Sequence, residues 1–282
     1  MTESSSLQLT VLIDNTVYMP SLRAEHGLSI LAEADGTQVL LDTGQTAQVI
    51  QNARLLGVEL ADVAHVALSH GHMDHTGGLE CVLAKTRKAA LYAHPAAFEE
   101  KFKKLHDASY RYIGCPLQLD DVKARCDEVK FSTEPQQLPA AFGLTGEVPR
   151  VHEWEKSDNG FATGSGQTKS VDKLLDDQSL FWDGPGGPVV VAGCAHSGII
   201  NTLERVAELT GKKQIHAVLG GFHLKAASDE RIDLTIDALK RFGVERLGLG
   251  HCTGFKAMQR MAQALGDKCF ECPVGTRVSF GA

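Results

Sequence analysis

The stretch LSHGHMDHTGG, residues 68–78, places His70, His72, Asp74 and His75 within six positions. A helix brings residues three or four apart onto one face, whereas a strand would put His70, His72 and Asp74 on one face and His75 on the other. Neither regular element lets all four converge, whereas a loop leaving a strand could wrap them around a point. Wrapped around a point, imidazole and carboxylate form the ligand set preferred by zinc, manganese and iron. A polar surface turn is the plainer reading, but it accounts poorly for so dense an H-x-H-x-D-H spacing.

The same logic extends along the chain. ALSH ends at His70, VAGCAH at Cys194 and His196, VLGGFH at His223 and LGLGHC at His251. In α/β sheets, ligands gather outside the carboxyl ends of strands, so one pocket can collect all of these side chains. Taken singly, each later histidine reads as a core or loop residue; the repeated glycine-flanked strand end is what argues for ligands.

Periodicity supplies the frame. LQLTVLID, LSILAEAD and TQVLLDTG read as strands, with a hairpin turn at Asp35-Gly36. A helix follows through Ala47, Ile50 and Ala53, ended by Gly57. VAHVALSH, KAALYAHP, GGPVVVAGCAH, IHAVLGGFH and RLGLGHC are further strands. Apolar stripes at Ile199/Leu203/Val206, Ile232/Ile236/Leu239 and Phe255/Met258/Ala262 mark three core-facing helices. Strands followed by alternating strand and helix predict an α/β protein with helices packed over mixed sheets. Residues 96–180 break the pattern: AFEEKFKKLHDASYRY looks helical, and the rest is rich in turn residues. The expectation is one domain over 1–282 with a helical and loop insertion or lid at about 96–180, its tip at NGFATGSGQTKS mobile.

Composition narrows the partners. At 282 residues and 43% hydrophobic, the chain can bury a sizeable core. A net charge of -7 with no run of five or six Lys/Arg gives no broad footprint for nucleic acid. No stretch is apolar enough for a membrane span, and MTESSSLQLTVLID lacks the pattern of a signal peptide. Seven scattered cysteines suit reduced thiols, so a cytoplasmic protein is expected. Cys269 and Cys272 form a C-x-x-C, but KCFECPVGTRVSF reads as a terminal strand with no helix start behind it to activate a thiol.

VLLDTG, SHGHMDHTGG, a strand ending in GC and a strand ending in GH together resemble the metallo-β-lactamase fold superfamily. More narrowly, EHGLS, LLDTGQ, GCAHSGIIN, GGFH and GHCTG are similar to its branch known as 7,8-dihydropterin-6-yl-methyl-4-(β-D-ribofuranosyl)aminobenzene 5'-phosphate synthase. The resemblance implies a four-layer αβ/βα sandwich with up to two divalent metals, zinc first, manganese or iron as alternatives. His70 and His72 match the first-metal positions, and Asp74, His75 and His251 the second-metal positions. Asp42 matches a residue that braces the metal loop. Where the superfamily carries a bridging carboxylate, this chain has Cys194 and, two residues on, His196. Either could ligate; imidazole reaches farther, which favours His196. The usual histidine from the preceding strand has only His152 as its nearest counterpart, or His196 takes its place.

The function implied is a metal-dependent enzyme acting on a phosphorylated or pterin-like small molecule, by hydrolysis or transfer. Asp74 serves it at the metals, His223 and His26 exchange protons, and Arg150 and Lys169 hold phosphate. A non-catalytic metal- or ligand-binding protein of the same fold is the alternative, and retention of His70, His72, Asp74 and His75 argues against it. A di-iron electron carrier would have a carboxylate at position 72. A secreted β-lactamase fits poorly with the N-terminal sequence.

Overall fold

The run Val189-Val190-Val191-Ala192 is apolar at every position because both faces of its strand are buried. Side chains alternate across a strand. Val189 and Val191 therefore enter one core, while Val190 and Ala192 enter another. That double burial defines the architecture seen in the computed structural model of the chain, which describes residues 6–155, 160–166 and 168–281.

The chain first forms β1 (Ser6–Ile13), β2 (Ser29–Ala34), β3 (Thr37–Leu41), α1 (Gln48–Leu55), β4 (His65–Ala67), α2 (Met73–Thr76), α3 (Leu79–Leu83) and β5 (Ala90–Ala93). Next come β6 (Lys101–Lys104), β7 (Tyr110–Tyr112), α4 (Leu119–Arg125), β8 (Glu128–Phe131), β9 (Gln136–Gln137), β10 (Phe142–Leu144), β11 (Phe161–Thr163) and β12 (Ser170–Val171). The last third supplies β13 (Ser179–Gly184), β14 (Gly187–Ala192), α5 (Ile199–Thr210), β15 (Ala217–Gly220), α6 (Asp229–Arg241), β16 (Arg246–Leu249), α7 (Phe255–Leu265), β17 (Cys269–Glu271) and β18 (Arg277–Gly281).

Two seven-stranded sheets result, ordered β18-β1-β2-β3-β4-β5-β8 and β17-β16-β15-β14-β13-β10-β9. Leu9, Ala32 and Val39 of the first meet Trp182, Val191 and Leu219 of the second in a shared core. Helices α1, α3 and α4 cover the outer face of the first sheet, through Val49, Val82 and Val122. Helices α5, α6 and α7 cover the second, through Leu203, Ile236 and Met261. This is the expected four-layer sandwich. The Asp35-Gly36 turn is also as read, both residues having positive φ (46° and 74°), as a tight hairpin with the right twist demands.

The stretch 96–180 departs from expectation. AFEEKFKKLHDASYRY is not a helix: β6 and β7 form a hairpin within a third sheet, β12-β11-β6-β7. The K-F-K alternation explains it, because Lys101 is drawn inward to Asp172 and Asp176 (3.0 Å each) while β11 pairs with the other edge of β6. Nor is the span one insertion, since β8 extends the first sheet and β9 and β10 the second. The expected mobile tip, 159–170, includes residues 159 and 167, which lie outside the described residues. KCFECPVGTRVSF proves to be two strands in opposite sheets, with Cys272 buried after the first.

Trp182, 2% exposed, fills the space between the sheets. Trp182→Ala should lower the unfolding free energy by about 3–5 kcal/mol, read from denaturant titrations. A loss below about 1 kcal/mol would contradict a core shared by both sheets.

Candidate metal centre

Strands β3 and β4 run parallel, as do β14, β15 and β16, so their carboxyl ends emerge along one rim of the sandwich. Just past these ends, Asp42, Ala195, His223 and His251 adopt positive φ of 60°, 49°, 47° and 50°. A non-glycine residue held there costs on the order of 1 kcal/mol, and such residues gather where surrounding structure dictates a side chain's aim. Close approach does the rest: a Cβ on Gly193 would lie 2.1 Å from Ser69 Oγ, and one on Gly71 2.1 Å from the Ala97 carbonyl oxygen.

Buried carboxylates set the aim of each donor. Asp42 accepts hydrogen bonds from the Ser69 amide (2.7 Å), the Ser69 hydroxyl (2.6 Å) and His75 Nδ1 (2.7 Å). His75 therefore presents Nε2 to the site. The His251 amide donates to Asp14 (2.7 Å), and its ring Nδ1 lies 3.2 Å from Asn15 Oδ1, again leaving Nε2 inward. Asp177 accepts from the amides of His196 (3.0 Å) and Ser197 (2.8 Å). Asp176 accepts from the Gly71 amide (2.8 Å) and from buried Lys101 (3.0 Å), which holds the turn between His70 and His72. Outer partners of this kind fix ligand tautomer and orientation in metal sites.

Two donor sets converge. In one, Cys194 Sγ lies 3.3 Å from both His75 Nε2 and His251 Nε2. Asp74 Oδ2 lies 3.6 Å from the same two nitrogens. Four donors around one ion with bonds of about 2.0–2.3 Å would stand roughly 3.3–3.6 Å apart at tetrahedral angles, so the set fits a zinc-sized ion. In the other, His70 Nε2 and His72 Nδ1 are 3.0 Å apart, and the rings of His70 and His196 lie 4.8 Å apart. His70, Cys194 and His196 offer donors mutually within 4.8 Å, and so do Cys194, His223 and Cys252. Both ring nitrogens of His196 and Nε2 of His72 are buried without a hydrogen-bond partner. An orphan of this kind costs about 1–3 kcal/mol, and an ion bound at one His196 nitrogen would relieve that one.

Electrostatics agrees. Burial opposes protonation of His75, but Asp42 and Asp74 outweigh it and hold the imidazole up to about 9. The spot thus favours positive charge at Nε2, where an ion would take the proton's place. Burial works against the Asp74 anion too, yet His75, His251, His72 and His26 pull its pKa to about 2. On the other side, burial pushes His72 down to about 3, and holds His70 and His196 well below the usual imidazole range, neutral and fit to donate lone pairs. His223 differs. Burial disfavours its charged form, but the Cys252 thiol and Asp177 raise it overall.

The structure thus brings together His70, His72, Asp74, His75, Cys194, His196, His223 and His251. Cys194 and His196 need not be rivals, because Cys194 stands between the two sets while His196 joins only that of His70. His26 stands outside Asp74, with Nδ1 3.6 Å from Oδ2 and a largely exposed ring. Three expected candidates lie elsewhere. His152 stacks near Trp154 and lies 3.5 Å from Glu204. Arg150 donates to the carbonyls of Lys173 (2.5 Å) and Leu174 (3.1 Å). Lys169 donates to those of Gly164 and Gly166, over the Phe102 ring. Cys252, Asn15, Asp14, Asp177 and Lys101 were missed. Of these, only the acid at the end of LQLTVLID repeats a signal seen elsewhere, namely that of LLDTG.

A sandwich whose strand ends converge on a His/Asp/Cys cluster defines a candidate metal-binding protein of the four-layer class. The chain belongs to the metallo-beta-lactamase superfamily, whose family model matches residues 22–254. It is 32% identical over 256 residues, 90% of this chain and 94% of the other, to a Methanocaldococcus jannaschii protein described as uncharacterized. It is 30% identical over 257 residues, 88% of this chain and 87% of the other, to the 7,8-dihydropterin-6-methyl-4-(beta-D-ribofuranosyl)-aminobenzene-5'-phosphate synthase of the same organism. A solved structure described as a metal-dependent hydrolase of the beta-lactamase superfamily matches with a TM-score of 0.84 at 29% identity, covering 98% of this chain and 100% of that one. The Bacillus subtilis metallo-beta-lactamase fold protein YhfI shares the fold at TM-score 0.60 and 13% identity, over 98% and 100% of the two chains.

Because Cys194 belongs to all three donor groups and His196 to one, Cys194→Ser should lower bound zinc at least as much as His196→Ala. Elemental analysis after loading and desalting reads this; full zinc retention by Cys194→Ser would remove the thiol from the ligand set.

Proposed function

We propose that the protein is a metal-dependent enzyme that acts on a phosphate-bearing small molecule by hydrolysis or by group transfer. One observation carries this reading: donors from separate strand ends, including Asp74, Cys194, His196 and His251, line a single cavity of about 780 Å³ that is open to solvent. A site that only stabilised the fold would be closed. The cavity has the size of a small-molecule pocket. A relative named as the synthase of a 5'-phosphate compound supports a phosphorylated or pterin-like substrate, and a neighbour named as a metal-dependent hydrolase keeps hydrolysis open.

His70, His72 and His196 would hold one ion, and Asp74, His75, Cys194 and His251 a second. A set of imidazole, carboxylate and thiolate suits zinc better than manganese. Bound there, such ions supply Lewis acidity and lower the pKa of water toward about 7. The protein's own residues do the remaining work. Asp42 fixes the tautomer of His75, and Asn15 that of His251. His223 faces the cavity with its ring 4.3 Å from that of His196. Against burial, Cys252 and Asp177 raise its pKa, the direction that suits a proton donor to a leaving group. His26 touches the outer side of Asp74 and the solvent, a path for proton exchange. Free thiols at all seven cysteines fit a reducing cytoplasm, and among the described residues no helix is long and apolar enough to cross a membrane.

Asp74→Asn keeps size and removes charge. It should leave the fold intact by circular dichroism, retain about one of two ions, and lose most activity. Activity is read by product analysis with a diphosphate-activated pterin, with and without an arylamine acceptor, and in a screen of phosphate esters with each metal restored. Unchanged metal stoichiometry with full activity would sink the two-ion mechanism.

A further inference from the structure

The cavity that opens from the donor cluster has a second wall with a different character. In a chain with 35 acidic and 28 basic residues, its lining includes Lys103, Arg111, Lys225 and Arg231, against, among the described residues, a single carboxylate, Asp74, which belongs to the donor set. An average surface of this protein would carry an acidic excess; this one is inverted.

Two of the cations are placed by the small third sheet. Lys103 on β6 is paired in register with Arg111 on β7 and, on its other side, with Phe161 on β11. The row Phe161–Lys103–Arg111 runs straight across the sheet, and all three residues line the cavity. Lys103 Nζ stands 4.0 Å over the Phe161 ring, whose own centroid lies 4.9 Å from that of His72 and 5.2 Å from that of His196. The row therefore begins against the donor cluster and leads away from it. Lys103 and Arg111 stand directly opposite on neighbouring strands, so one anion is within reach of both.

The other two cations come from the opposite wall. Lys225 follows the His223 turn and is pressed against the loop after His251, since a Cβ on Gly254 would lie 2.6 Å from its Cα. Arg231, in the first turn of α6, is half-buried, which lowers its pKa, while the charge of Glu155 works to raise it. Burial at this position restricts the guanidinium, and a planar guanidinium suits bidentate contact with phosphate.

We propose that Lys103, Arg111, Lys225 and Arg231 form a subsite for a phosphate that is bound and not broken, while the reacting bond lies at the donor cluster. The substrate class is then a two-ended molecule, with a dianionic phosphate at one end and the reacting centre at the other. This rests on the metalloenzyme reading above and replaces the expectation that Arg150 and Lys169 hold the phosphate. No step of the chemistry passes through these four residues; they select and position.

The test is calorimetric titration with phenylphosphonate, which carries a dianion and has no P–O–C bond to cleave. Wild type, the double variant Lys103→Met/Lys225→Met, the single variant Arg111→Met at an exposed position and the control Lys169→Met are each measured zinc-loaded and chelator-treated. The proposal expects binding that survives chelation in the wild type. It expects a tenfold or greater loss of affinity in the double variant in both forms, a smaller loss in Arg111→Met, no change in Lys169→Met, and wild-type zinc content throughout. Unchanged affinity in folded variants, or binding abolished by chelation alone, would overturn it and assign the anion to the metal cluster. If the protein takes up no zinc yet binds phenylphosphonate through Lys103 and Lys225, the subsite stands and the metalloenzyme reading falls.

Discussion

A single buried carboxylate, Asp42, holds the site in shape. It sits past the end of β3 at a φ of 60° and is fully buried, and it accepts three hydrogen bonds of 2.6–2.7 Å from Ser69 and His75. Burying a carboxylate costs several kcal/mol unless such partners compensate it. The three donors do so, and in doing so they tie the end of β3 to the loop leaving β4 and to the ring of His75. The backbone strain at Asp42 follows from that demand. Once His75 is aimed, Cys194, Asp74 and His251 fall within 3.3–3.6 Å of its Nε2 or of one another.

Around this point the protein separates two tasks. The parallel strand ends, stiff and buried on both faces, hold donors whose separations have to be kept to fractions of an ångström. The third sheet, short and charged, is free of that requirement and forms the facing wall with Lys103 and Arg111. Lys101 joins the two: its ammonium pairs with Asp172 and Asp176, and Asp176 in turn holds the Gly71 amide between His70 and His72. Breaking a buried pair strands a charge, which makes this link costly to lose. The wall and the metal loop are therefore mechanically connected through β6.

The sequence made the donor cluster legible because its signal is local. H-x-H-x-D-H cannot converge on a helix or strand, and histidines flanked by glycine repeat at the ends of four apolar strands. While their arrangement in a four-layer sandwich was implied by the family resemblance, the strands and helices were legible for a similar reason, since continuous runs such as PVVVA and stripes such as Ile199/Leu203/Val206 are local signals. The third sheet was not, because β6 pairs with β11 some sixty residues away and both strands are too short to show a period. Its charged, helix-forming residues pointed the other way, and tertiary pairing overrode them. The braces Asp176 and Asp177 were equally silent, since an acidic residue in a loop looks the same whether it faces water or a buried amide, whereas Asp14 at the end of LQLTVLID repeats the strand-end acid of LLDTG. Arg150 and Lys169 were misplaced for that reason too: a cation's partner is chosen by the fold, and theirs include backbone carbonyls.

The most direct test of this account is the zinc affinity of Asp42→Asn, measured by competition with a chromophoric chelator on protein shown to be folded by circular dichroism. Asparagine keeps the size but offers an amide where Ser69 or His75 needs an acceptor, so the His75 ring loses its fixed tautomer. The account predicts that one of two ions is held about 10–100-fold more weakly while the other is held nearly as before. Two ions bound with wild-type affinity in the folded variant would contradict it.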